Sequence, residues 1–188
     1  MKVSLAVLVT IAAMGAAVPR APAALAAQPP DPCIASALAL STSMQGAAGS
    51  REGFAIVRNT SSKACRLNGR PAVTIADKTL GNLHVHIVAG PTNVLDPKGA
   101  GSDRRLGILR PGRRAFSALR WGNYCGKAKG SFTLVATLPN GRGKLSAPLL
   151  SVGSSKPLPV SAPPCNGPGQ PSDLDVGPFV IVSQSLQP

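Results

Sequence analysis

Two histidines spaced as His84-Val85-His86 come nearest to a chemical site in this chain. On a β-strand, residues i and i+2 project from one face, so the two imidazoles could hold copper or zinc side by side. They are the only histidines present. A metal would therefore need Asp77 or Asp96 from flanking loops, a backbone carbonyl or water to complete its shell. The competing reading is two polar residues on the solvated face of a strand, and no cofactor is expected. The second concentration of chemistry is basic. Between Lys98 and Lys129 lie Arg104, Arg105, Arg110, Arg113, Arg114, Arg120 and Lys127, with Asp103 the sole acid. Arginines carried on turns beside a strand pair can form one positive face. Arg104, Arg105, Arg110, Arg113 and Arg114 are the candidate anion-binding set, and their expected partners are anionic envelope polymers or lipid headgroups.

Other chemistries find less support. Nucleic-acid binding usually adds stacking aromatics. The aromatic side chains here are Phe54, Phe116, Trp121, Tyr124, Phe132 and Phe179, and most fall where core residues belong, Trp121 included. A glycosidase needs two positioned carboxylates, whereas the 7 acidic residues are scattered and mostly in expected turns. No Gly-x-Ser-x-Gly elbow is present, and two histidines on one strand make poor triad material. No catalytic residue is assigned, and the chain reads as a non-enzyme. The stretch Asn59-Thr60-Ser61 has the form of an N-glycosylation sequon but reads as a turn.

Residues 1–26 read as a signal peptide. Lys2 opens it, Val3 to Val18 is an uncharged apolar run, and Ala24-Leu25-Ala26 offers a small-x-small cleavage pattern. The run is short of the roughly 20 apolar residues a membrane span wants, so no transmembrane segment is expected after processing and the protein reads as secreted. Loss of Lys2 and Arg20 with this leader leaves 18 basic residues against the same 7 acidic ones, a net charge of +11 instead of +13. A short linker, 27–32, then leads to a single domain over 33–183, followed by a tail at 184–188. The four cysteines, Cys33, Cys65, Cys125 and Cys165, all lie in that domain. An even count in an exported chain reads as disulfides, which stand as structural staples and leave three pairings open.

The pattern along the domain is all-β. Candidate strands are Ile34 to Met44, Gly53 to Asn59, Val73 to Ile75, Leu83 to Val88 with strict alternation, and Leu106 to Leu109. Ala115 to Trp121, Phe132 to Leu138 and Phe179 to Val182 complete the set. Short apolar runs punctuated by Gly, Pro and Asn argue for a sandwich or barrel. Gly153 to Pro171 reads as a long surface loop pinned by Cys165. No segment carries a helical stripe with caps.

A resemblance emerges from three of these segments. Asn59-Thr60, the polar residues after it, and Cys65-Arg-Leu67-Asn-Gly69-Arg-Pro71 resemble the central N-T…C-x-L-x-G-x-P motif of DUF4232, an actinobacterial extracytoplasmic family of unknown function. Leu109-Arg-Pro111-Gly112-Arg-Arg-Ala115 resembles its L-x-P-G-x-x-A turn, and Trp121 and the late Cys165 also fit. The position before Pro71, often aromatic in that family, is Arg70 here. The resemblance implies an immunoglobulin-like antiparallel β-sandwich with sequential disulfides, Cys33 to Cys65 and Cys125 to Cys165. It brings no known activity. What the residues themselves suggest is an envelope-associated binding or structural module drawn to anionic surfaces. Metal binding through His84 and His86, or a protein-binding inhibitor or adhesin role, are the alternatives.

Overall fold

The computed structural model describes residues 28–90, 107–152 and 158–181. The leader at 1–26, the Leu106 start of one expected strand, Arg104, Arg105 and the 184–188 tail lie outside the described residues. Within those residues the fold is all-β, with two single-turn 3-10 segments as its only helical elements. In chain order the strands are β1 (Leu38–Ala47), β2 (Ser50–Asn59), β3 (Cys65–Arg66), β4 (Ala72–Asp77), β5 (Gly81–Asn82) and β6 (His86–Ala89). They continue as β7 (Ile108–Leu109), β8 (Arg114–Gly122), β9 (Phe132–Thr137), β10 (Lys144–Pro148), β11 (Asp173–Val176) and β12 (Val180–Ile181).

Two sheets face each other. One runs β1-β2-β8-β11-β6 with β12 added alongside β8, and the other runs β10-β9-β4-β5; β3 and β7 form a separate short ladder. The alternation seen in the sequence is what makes this a sandwich. Ala55, Leu119, Trp121, Leu174 and Val176 point inward from the first sheet, and Val73, Ile75, Phe132, Leu134 and Ala136 meet them from the second. Trp121 is fully buried and meets the Phe132 ring edge-on at 5.2 Å. A second apolar cluster, built around Cys33, Cys65, Val57, Leu109 and Phe179, closes one end.

The edge strand β1 is stitched to the opposite sheet. Thr42 Oγ1 donates to the Pro148 carbonyl at 2.7 Å and accepts the Leu150 N–H at 2.9 Å. Met44 exchanges backbone hydrogen bonds with Leu150 and Val152. Covering an edge in this way removes a template for unwanted strand pairing. The close fit reaches β2. A Cβ at Gly53 would sit 1.9 Å from the Ser43 carbonyl oxygen and 2.8 Å from Met44 Cα, both backbone atoms that cannot swing away. Gly53→Ala is therefore expected to cost about 2 kcal/mol by overpacking, read as a lowered denaturant midpoint at unchanged slope.

Several elements differ from the expected pattern. The first strand begins at Leu38 rather than Ile34, because residues Ala35–Ala37 wind into a 3-10 turn. The last, expected from Phe179, begins at Val180 as β12. It is preceded by a strand the pattern did not mark, β11, with Gly177-Pro178 between them, where proline has no N–H for the ladder. β10 escapes the alternation rule because only Ala147 among its residues is buried. Among the named strands every pairing is antiparallel but one, where β6 runs parallel to β11, Asp173 opposite His86 and Val176 opposite Ala89. The exception follows from a crossing. Leu83 still donates its N–H to Ile75 of the second sheet, and by His86 the chain has joined the first. Residues 83–85 are therefore a bridge between sheets instead of the start of a strand.

Both disulfides take the sequential pairing, Cys33 to Cys65 and Cys125 to Cys165. They place the folded chain in an oxidising compartment rather than the cytoplasm. Among the described residues no helix is long and apolar enough to cross a membrane.

Candidate functional site

The family-like segments meet at a single residue. Asn59 ends β2 fully buried, an unusual place for a side-chain amide. Its Nδ2 donates to the carbonyls of Lys63 at 2.8 Å and Leu109 at 2.9 Å. Its Oδ1 accepts from the Ser61 N–H at 2.9 Å and from Ser61 Oγ at 2.8 Å. The backbone adds two more bonds, Asn59 N–H to the Arg113 carbonyl and Gly112 N–H to the Asn59 carbonyl. Asn59 thus clamps the turn after β2 to the Pro111-Gly112 turn before β8, next to the Cys33–Cys65 disulfide. Burial with both amide ends occupied also closes the sequon to modification.

Clamping gathers positive charge. Arg58 and Arg114 are direct cross-strand neighbours on β2 and β8, and both are exposed. Neither has an acid within ion-pair reach among the described residues. Lys63, Arg66, Arg110 and Arg113 stand on the turns and short strands of the same end. Asp31 is the single acid there among the described residues. Of the expected anion-binding arginines, Arg110, Arg113 and Arg114 are therefore brought together, while Arg104 and Arg105 lie outside the described residues. Sequence reasoning missed Arg58, Lys63 and Arg66. Each lies far from the arginine-rich stretch in the chain, and only the β2–β8 and β3–β7 registers bring them beside it. Arg120 belongs elsewhere, since its Nε pairs with Glu52 Oε1 at 3.0 Å on the sheet's outer face.

The histidines occupy the other end of β8, about 26 Å along a nine-residue strand from Arg114. His86 opens β6, and its Nδ1 lies 3.1 Å from Asp173 Oδ1 on the exposed surface. His84 sits on the bridge between sheets, so the shared strand face expected of the pair does not form. Both imidazoles nonetheless line one concavity of about 400 Å³ with Leu83, Pro171 and Ser172. A neighbouring concavity of about 420 Å³ shares Leu83, His84 and Ser172 and extends past Asn82, Tyr124, Lys127 and Gln170. The two form one groove. Among the described residues no third His, Cys, Asp or Glu joins the pair in a metal-ligating cluster. Asp77 is engaged nearby and Asp96 lies outside the described residues.

The groove wall is held from below by Asp77. Its carboxylate is buried and accepts N–H bonds from Thr79 at 2.8 Å, Leu80 at 3.1 Å and Lys129 at 2.9 Å. The Lys129 and Thr79 amides hold its pKa below the ordinary value of 3.8. Burial pushes the Tyr124 phenol upward, with the Asp77 charge adding to the effect. A depressed carboxylate pKa means that the contribution of Asp77 to stability is complete above its unfolded-state value near 3.8 and is lost as pH falls through the folded-state one. Asp77→Asn is expected to be less stable than the native chain at pH 6 and to lose less stability on acidification below about pH 4. Thermal unfolding of both proteins across that range checks this; parallel acid slopes would show that Asp77 is not the titrating group.

Fold and geometry together define a disulfide-stapled, two-sheet β-sandwich whose distinctive surfaces are a basic pole and, at the far end, a polar groove. The chain belongs to DUF4232, described as a domain of unknown function, whose family profile matches residues 33–180. No curated protein and no solved structure is significantly similar to it.

Proposed function

We propose that this chain is a secreted, non-enzymatic module of the cell envelope, with a binding or structural role, drawn to anionic surfaces by its basic pole. The observation that carries the reading is the Arg58–Arg114 pair. Like charges directly opposite on neighbouring strands destabilise a sheet, and here no acid among the described residues relieves them. The arrangement costs the fold something and gains it a cluster of guanidinium donors, which pair bidentately with phosphate and carboxylate. Wall polymers and lipid headgroups present both groups. A non-enzymatic role is supported by the oxidised cysteines, which offer no thiolate.

Co-sedimentation with vesicles containing anionic lipid and with purified wall tests the reading. Binding is expected at low salt and to weaken as the Debye length shortens from about 30 Å at 0.01 M to about 8 Å at 0.15 M. Arg58→Gln with Arg114→Gln is expected to reduce vesicle affinity about 30-fold, on roughly 1 kcal/mol per basic residue near the surface. Retention indifferent to salt, or unchanged in the double variant, would overturn the electrostatic account.

A further inference from the structure

We infer that the groove at the His84 end is a binding site for an acidic sugar unit, a polyhydroxylated ring carrying one carboxylate or phosphate. The inference is independent of the basic pole, which lies at the opposite end of the sandwich. Shape comes first. Two contiguous concavities of about 420 and 400 Å³ each fall within the range of small-ligand sites, and their shared wall makes an open groove suited to one unit of a chain.

The lining then narrows the ligand. Asn82, Gln170, His84 and Lys127 face the groove, and none makes a side-chain hydrogen bond or ion pair with another described residue. Side-chain amides offer a donor and an acceptor together, which is the pattern adjacent sugar hydroxyls satisfy. Lys127 supplies a point charge to the first concavity, whose lining holds no carboxylate, and the Asp173 carboxylate beside the second is taken up by His86. The complementary group on the ligand is therefore an anion placed at the Lys127 side. Leu80, exposed at the rim, and the half-buried Tyr124 ring add an apolar surface of the kind a sugar's C–H face packs on. A peptide fits less well, because strand addition needs a continuous main-chain edge and residues 83–85 belong to no ladder.

The groove wall is also tied in place by its own bonds. Asn123 holds a left-handed backbone, φ 46°, which asparagine adopts more readily than other non-glycine residues. Its Nδ2 donates to the carbonyls of Gly167, Gln170 and Pro171, and its Oδ1 accepts from the Asn166 and Gly167 amides. One residue thereby fastens loop 166–171 beside the strand, and the Cys125–Cys165 disulfide fastens it a second time. Beneath them the Trp121 indole N–H reaches Ser172 Oγ at 3.2 Å. A wall ordered in advance lowers the entropy cost of binding.

The test is an amide chemical-shift titration of the isotopically labelled protein with four probes: a glucuronate-containing hyaluronan tetrasaccharide, glucose 6-phosphate, cellotetraose and inorganic phosphate. Saturable shifts at residues 82–86, 123–127 and 166–172 are expected with at least one of the two acidic saccharides, and which one identifies the anionic group. Cellotetraose and inorganic phosphate are expected to bind at least tenfold more weakly. Lys127→Ala should lower the affinity about tenfold, the scale of one charge-assisted hydrogen bond, while Arg58→Gln with Arg114→Gln leaves it unchanged. Absence of groove shifts with both acidic saccharides, equal binding of cellotetraose or inorganic phosphate, or loss of binding in the arginine variant would each overturn the assignment. Vesicle binding by the same preparations reports on the basic pole separately, so failure of one reading is distinguishable from failure of the other.

Discussion

Replacing both Cys33 and Cys65 by alanine is expected to destabilise the protein by about 4 kcal/mol or more, and replacing Cys125 and Cys165 by about 2 kcal/mol. Loop length does not predict this difference. The bridged positions are 32 and 40 residues apart, for which the chain-entropy estimate is nearly the same, about 4 kcal/mol each. Context separates them. Cys33 and Cys65 are buried among Leu38, Val57, Leu109 and Phe179, so their loss also opens packed apolar volume. Cys125 and Cys165 are both exposed, and the Asn123 network holds the same loop without them. Guanidinium unfolding of the two double variants measures the contrast. Equal losses would mean that unfolded-state entropy alone sets the value of each bridge and that burial and the Asn123 clamp add nothing.

Asn59→Ala is expected to cost about 3 kcal/mol, because removing the amide strips partners from the Leu109 carbonyl, the Lys63 carbonyl and the Ser61 N–H together. Asn59→Asp should be at least as harmful. It keeps the shape but turns a carboxylate oxygen toward two carbonyls where a donor stood. The expected order, native above Asn59→Ala and Asn59→Asp lowest or equal to it, is read from denaturant midpoints at neutral pH. A loss below about 1 kcal/mol would show that water replaces the amide at this site. Because Asn59 also positions the Pro111-Gly112 turn, both variants are expected to loosen the basic pole, visible as faster amide exchange at residues 110–114.

Much of the framework was legible in the residues. Strands at Gly53–Asn59, Ala115–Trp121 and Phe132–Leu138 were readable because alternation is local and each of these runs buries every second side chain. The role of Trp121 as a core residue was readable for the same reason. β10 was not, since an edge strand with one buried residue and a terminal proline carries little of the signal. Nor was the fate of His84. A strict alternation over Leu83–Val88 describes a strand equally well whether the chain stays in one sheet or crosses to the other, and the Leu83 bond to Ile75 decides for crossing. The groove was illegible for a related reason, as its walls come from residues 80–86, 123–127 and 170–172, three segments with no shared motif.

The all-β class, the disulfide chemistry and the segments that carry the core all depend on residue type and short spacing, and were readable from the residues alone. The sequential pairing of the cysteines entered with the family resemblance and is what the structure shows. Which charges act together was settled by the packing of distant segments. Strand register set Arg58 against Arg114 and moved Arg120 to a pairing with Glu52, and one sheet-to-sheet crossing separated the histidines from a common strand while leaving them in a common groove. Register and crossing are fixed by contacts between residues tens of positions apart, where the energy lies in burying two faces against each other and no local pattern records the outcome.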